Sequence, residues 1–126
     1  MADVENKPPR MVLIVEDEPG IRGALELLLG LEGYGVVTAA NGAEALDVLA
    51  RTPCHVIVTD HMMPVMDGLT FLARIRDDAR FVDTPKILMS AVARRPESVR
   101  ALADTFIAKP FETTALLRAI ESLLAR

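Results

Sequence analysis

Five short apolar runs limit most strongly what this chain can fold into: MVLIV (Met11–Val15), VVTA (36–39), HVIVTD (55–60), KILMS (Lys86–Ser90) and FIA (106–108). Their apolar residues are consecutive and do not alternate with polar ones, so each run reads as a strand covered on both faces. Such strands need a helical layer on either side, and helical patterns lie between them. Ile21, Ala24, Leu25, Leu28 and Leu29 fall at i, i+3, i+4, i+7 and i+8, with Gly30, Gly33 and Gly35 to stop that helix. Asn41 and Glu44 have the spacing of a capping box that opens a helix through Ala45, Leu46, Leu49 and Ala50. Residues 68–76 form a helix with Leu69, Leu72 and Ala73 inward, and Pro96 opens a short one reaching about Ala103. Thr113 or Thr114 caps the last, which carries Leu116, Leu117, Ile120, Leu123 and Leu124. Strand and helix thus alternate to the end, which predicts a doubly wound α/β domain, (βα)5, around a five-stranded parallel sheet.

At 126 residues, 51% of them apolar, the chain has material for one core. The expected organisation is a flexible polar leader over residues 1–10 and one domain over 11–126. The net charge of -4, with no block of Lys or Arg, gives no footprint for direct nucleic-acid binding. Cys54 is the single cysteine, the opening MADVENKPPR lacks an apolar signal region, and no apolar run approaches the roughly 18 residues of a membrane span. These features predict a cytoplasmic protein without membrane contact.

In open parallel sheets, ligands gather beyond the carboxyl ends of the strands, where the strand order reverses. The residues there are Glu16 and Asp17 after the first strand, Asp60 after the third, Ser90 after the fourth and Lys109 after the fifth. In the order 2-1-3-4-5, three carboxylates meet at one mouth. Two like charges about 4 Å apart repel by roughly 4 kcal/mol at an effective dielectric near 20. Such a mouth must take up a proton or a cation, and an all-oxygen set suits a hard ion such as Mg²⁺.

VEDEP after the first strand, DHMMPVMDG after the third, SA after the fourth and KPF after the fifth together resemble the receiver domain of two-component response regulators. The resemblance covers residues 11–126 and implies a flavodoxin-like fold. It implies Asp60 as phosphoacceptor; Asp17, Asp60 and the backbone carbonyl of Met62 as ligands of Mg²⁺, or of Mn²⁺; and Glu16 as a ligand through water. It further implies that Lys109 pairs with the phosphoryl group, that Ser90 moves to bond it, that Phe106 is a switch aromatic, and that the Lys109–Pro110 bond is cis. Its partners would be a sensor histidine kinase or histidine phosphotransfer protein, and a downstream protein target. The chain would be a switch and not an enzyme, with at most weak self-phosphorylation and self-dephosphorylation. Because the sequence ends with the fifth helix, the single-domain type is expected.

Some features depart from the family pattern. The segment between Ser90 and Lys109 is short, with Leu102 where a glycine is common, so the fourth helix should be shortened. Phe106 stands where tyrosine is frequent and should favour a buried position, with core filling as the plainer reading. Arg94 and Arg95 could meet a partner but read more simply as a solvated pair, and Met62 and Val92 would flank the path of hydrolytic water. Asp67-Gly68 reads as a turn, Glu18 as a helix-start charge or a neighbour of the acidic mouth, and His55 as a strand-edge residue.

Three other functions compete. An aspartate-nucleophile phosphatase of the haloacid dehalogenase type would need a second aspartate where Met62 stands. A soft-metal site could use His61, Met62, Met63, Met66 and Cys54, although loop packing explains His61 and the methionines equally. The third is a degenerate receiver that binds proteins without phosphorylation.

Overall fold

The apolar runs become strands β1 (Met11–Val15), β2 (Gly35–Ala39), β3 (Val56–Asp60), β4 (Lys86–Ser90) and β5 (Thr105–Ala108) in a computed structural model that describes residues 8–91 and 96–126. Between and after them lie α1 (Pro19–Leu31), α2 (Gly42–Arg51), α3 (Gly68–Ile75), α4 (Glu97–Arg100) and α5 (Thr113–Leu124). All pairings are parallel, in the order β2-β1-β3-β4-β5, so the order reverses between β1 and β3 as expected. Residues 1–7, Val92, Arg94 and Arg95 lie outside the described residues. Among those described, no helix is long and apolar enough to cross a membrane.

Alternate strand residues feed two cores, one on each face of the sheet. Val12, Ile14, Val56, Val58, Ile87 and Met89 pack with Leu25, Leu29, Leu116, Ile120 and Leu123 of α1 and α5. Leu13, Val15, Ile57 and Leu88 pack with Ala45, Leu49, Phe71, Leu72 and Ile75 of α2 and α3. Each large side chain buried in this way contributes about 1.5–3 kcal/mol. Both faces of the central strands being apolar explains their unbroken hydrophobic runs.

The helices depart in detail from the pattern read in the sequence. Gly30 lies inside α1, and the stop is Gly33, whose φ of 95° suits only glycine without strain. Ile21 and Ala24 are exposed, because the start of α1 borders a groove and not the core. In α3, Ala73 is exposed while Phe71 and Ile75, with more apolar surface to bury, take the inward positions beside Leu72. Helix α5 starts one residue early, so Glu112 occupies the cap position without a side-chain bond and both threonines fall inside the first turn. Asn41 caps α2 by accepting from Glu44 N at 2.9 Å, but the Glu44 carboxylate accepts from Ala40 N, one residue before the cap. Helix α4 is a single turn, the shortening expected.

Candidate functional site

Strand register brings the candidate residues to one rim. Val15 pairs with Thr59 and Asp60 with Met89, while Ser90 pairs with Ala108 just before Lys109. Backbone bonds carry the ladder past the strand ends: Glu16 N donates to Ala39 O at 3.0 Å, His61 N to Met89 O at 3.0 Å and Lys109 N to Ser90 O at 2.9 Å. The rim is therefore an extension of the sheet and is held by it. The Lys109–Pro110 bond is cis.

Glu16, Asp17 and Asp60 bring carboxylate oxygens within 4.8 Å of one another. Glu16 and Asp60 are buried, at 1% and 6% exposure, whereas Asp17 is open to solvent. Lys109 Nζ lies 2.8 Å from Asp60 Oδ1 and 3.6 Å from Glu16 Oε1. The second distance is an ion-pair separation too long for a hydrogen bond, and Glu16 Oε1 is a buried oxygen with no hydrogen-bond partner. The other oxygen of Glu16 accepts from Glu18 N at 3.2 Å.

Burial raises the Glu16 carboxyl above its ordinary pKa, against the backbone bond from Glu18 and with the charge of Asp60 adding to the rise. Burial also works against the charged form of Lys109. The hydrogen bond and charge of Asp60, with the charge of Glu16, outweigh it and hold the lysine above its ordinary value. Glu16 and Asp60 thus share one lysine, with the Asp17 carboxylate beside them. The cluster is made of hard oxygen donors, and its orphaned Glu16 oxygen fits a small divalent cation.

The loop after β3 folds back tightly on Asp60. Gly68 N donates to His61 O at 2.7 Å, and a Cβ on Gly68 would collide with the carbonyl oxygen of Asp60. Reading Asp67-Gly68 as a turn captures only part of this: Asp67 does cap α3, accepting from Thr70 N at 2.8 Å, but Gly68 also sets how closely that helix approaches the acid. Val65 sits in the same loop at φ 69°, where a β-branched residue costs about 1–2 kcal/mol. His61 is more than loop packing. Its Nδ1 and the Ser90 hydroxyl oxygen share a hydrogen bond at 2.9 Å.

The methionines do not gather around one point. Met62 points to solvent at 68% exposure, while Met63 and Met66 pack against the core shared with α2 and α3. Burial pushes the half-buried Cys54 thiol up to about 11, which disfavours a thiolate ligand. The soft-metal reading loses its geometry. His55 is the strand-edge residue expected, with Nδ1 accepting from Met11 N at 2.8 Å. Glu18 caps α1, accepting from Gly20 N and Ile21 N. Phe106 is half-buried on β5 and packs, as do Val99, Leu102 and Ala103, against the core shared with α2 and α3.

Beside the acidic mouth runs a largely apolar groove of about 610 Å³ between α1 and the segment after β5, walled by Ile21, Ala24, Ala91, Pro110 and Phe111 and reaching Lys109.

Residues 12–121 match the family model for the response regulator receiver domain. Response regulator Rre1 of Synechocystis sp. is 36% identical over 122 residues, covering 94% of this chain and 53% of that protein. The probable transcriptional regulator ycf27 of Guillardia theta is 38% identical over 127 residues, covering 98% and 49%. The chain spans about half the length of these curated relatives. Among solved structures, response regulator TrrA of Thermotoga maritima, in complex with Mg(2+)-BeF, superposes with a TM-score of 0.82 at 34% identity, covering 91% of this chain and 99% of that one. The receiver domain of a Pseudomonas aeruginosa sensor histidine kinase, with a magnesium ion coordinated in its active site cleft, gives a TM-score of 0.85 at 27% identity, covering 94% and 100%.

Proposed function

The chain belongs to the response regulator receiver domain family of two-component systems, and from that premise we propose that Asp60 accepts a phosphoryl group from a histidine kinase or histidine phosphotransfer protein. The observation that carries this reading is the charge imbalance at the rim, where Lys109 serves Asp60 directly and leaves buried Glu16 Oε1 without a hydrogen bond. In a scaffold of purely structural use, that imbalance would be a standing cost.

Asp17, Asp60, the Met62 carbonyl and, through water, Glu16 would hold Mg²⁺ or Mn²⁺. A bound divalent ion supplies positive charge opposite the oxygens of the transferring phosphoryl group. The remaining work belongs to the chain. One Asp60 oxygen attacks the phosphorus of a phosphohistidine; the O–P bond forms as the P–N bond breaks, and the electron pair leaves with the imidazole nitrogen. Phosphoryl transfer demands alignment and charge more than covalent help. The strand-end ladder provides the alignment. Lys109 moves from pairing the free carboxylate to pairing a phosphoryl oxygen, as a compact cation on a flexible stem can. Ser90 then bonds the phosphoryl group, and Phe106 follows as the protein-binding face changes. The chain acts as a switch, with self-phosphorylation and self-dephosphorylation at most weak.

The apolar groove is the seat we assign to the helix that presents the phosphohistidine, because it borders Ala91, Pro110 and Lys109 at the site itself. The net charge of -4 supports protein partners and not nucleic acid for these 126 residues.

The test is incubation with Mg²⁺ and a small phosphodonor, followed by intact mass. Wild type should gain one phosphoryl group and Asp60→Asn none; an unlabelled wild type, or an equally labelled variant, contradicts the proposal. Ile21→Glu should then slow transfer from a phosphohistidine protein while leaving small-donor labelling unchanged.

A further inference from the structure

His61 follows the acceptor directly, and its ring spans to Ser90 on the neighbouring strand, 29 residues away in sequence. Both ends of this contact are fixed. His61 N is bonded to Met89 O and His61 O to Gly68 N, while Ser90 is buried at 4% exposure at the end of β4. Asp60 pairs with Met89, and His61 and Ser90 follow them on the neighbouring parallel strands, where the 2.9 Å contact joins their side chains.

We propose that His61 is a positioning residue that latches the Ser90 hydroxyl in the unphosphorylated chain, so that gaining a phosphoryl group requires this bond to be exchanged. The inference rests on the reading that Ser90 bonds the phosphoryl group. A hydroxyl has one proton, and phosphoryl oxygens are acceptors. Where Ser90 donates to His61 Nδ1, that proton is committed and must be withdrawn before it can serve the phosphoryl group. Where the ring instead carries the proton on Nδ1, Ser90 accepts from it and keeps its own proton for donation, so the latch belongs to the tautomer with Nδ1 unprotonated. In that tautomer the bond is made in the resting state and lost in the modified one, so it sets a threshold for switching. The threshold comes from a side chain that is not one of the clustered acids.

The experiment titrates beryllofluoride, a stand-in for the phosphoryl group, in the presence of Mg²⁺ into wild type, His61→Leu, His61→Asn, Ser90→Ala and the double variant His61→Leu/Ser90→Ala. Loss of one ordinary hydrogen bond from the resting state predicts about fivefold tighter binding by His61→Leu. His61→Asn, which keeps polar atoms close to the place of Nδ1, should stay within about twofold of wild type. In the Ser90→Ala background, His61→Leu should have no effect, because a latch acts only through the hydroxyl it holds. Unchanged or weaker binding by His61→Leu overturns the latch, and so does a gain that persists without the Ser90 hydroxyl. A wild type that binds no beryllofluoride overturns the functional reading and the latch together; a wild type that binds it, with no gain in His61→Leu, overturns the latch alone.

Discussion

Two lysines at opposite ends of the sheet show how a structural charge differs from one set for chemistry. Lys86 opens β4 and is buried at 6% exposure, yet its ammonium donates to Phe81 O at 2.7 Å and to Thr84 O at 2.8 Å. Burial holds its pKa below the ordinary value, with Asp104 and Asp83 pulling the other way, and its partners are fixed carbonyls of one loop. Lys109 follows β5 and is more open. It is held above its ordinary value by carboxylates that remain incompletely satisfied. The first lysine closes its own account within the protein. The second leaves an excess of negative charge that a proton or an added cation offsets, and the contrast can be broken from either end.

The largest effect is expected at Gly68. A methyl group there strikes the carbonyl of Asp60, so Gly68→Ala should destabilise by about 3 kcal/mol in denaturant titration and suppress phosphoryl labelling as well. At the structural end, Lys86→Met should strand two carbonyls and cost about 2 kcal/mol while labelling by a small phosphodonor stays at the wild-type level. A loss of labelling there would dissolve the distinction between the two ends.

At the mouth the sign should reverse. Glu16→Gln removes a buried charge and should raise metal-free stability by about 1 kcal/mol, while Mg²⁺ titration reports weaker binding. The smallest effect is in alkaline pH. Lys86 has a folded pKa below 10.5, so its contribution to stability rises as pH climbs toward that value. Lys109 is shifted upward, so its contribution is full below 10.5 and is lost as pH passes through the higher folded value. Comparing the stability of wild type with Lys86→Met and with Lys109→Met across this range should give slopes of opposite sign.

Much of this architecture was legible because it rests on short-range patterns. MVLIV and HVIVTD read as buried on both faces, and with helical patterns between them that implied a parallel sheet. Glu16, Asp17, Asp60, Ser90 and Lys109 could be gathered from their places after the strands. What stayed hidden depends on contacts across the fold. Whether Ala73 or Phe71 turns inward is decided by the volume α3 must fill, and Ile21 and Ala24 are apolar for a groove that periodicity cannot distinguish from the core. Thr113 and Thr114 are good caps that the chain bypasses by starting α5 at Thr113 itself. Gly68 looks like an ordinary turn glycine until the Asp60 carbonyl is found beneath it, and His61 carries no local sign that its partner is Ser90.

The central claim is that Asp60 alone among the clustered acids takes the phosphoryl group. Borohydride reduction of the phosphorylated chain, which converts an acyl phosphate to an alcohol, followed by peptide mapping, tests it most directly. Homoserine at position 60, with Glu16 and Asp17 unmodified, is the result predicted; reduction at either of those acids, or at none, would contradict it.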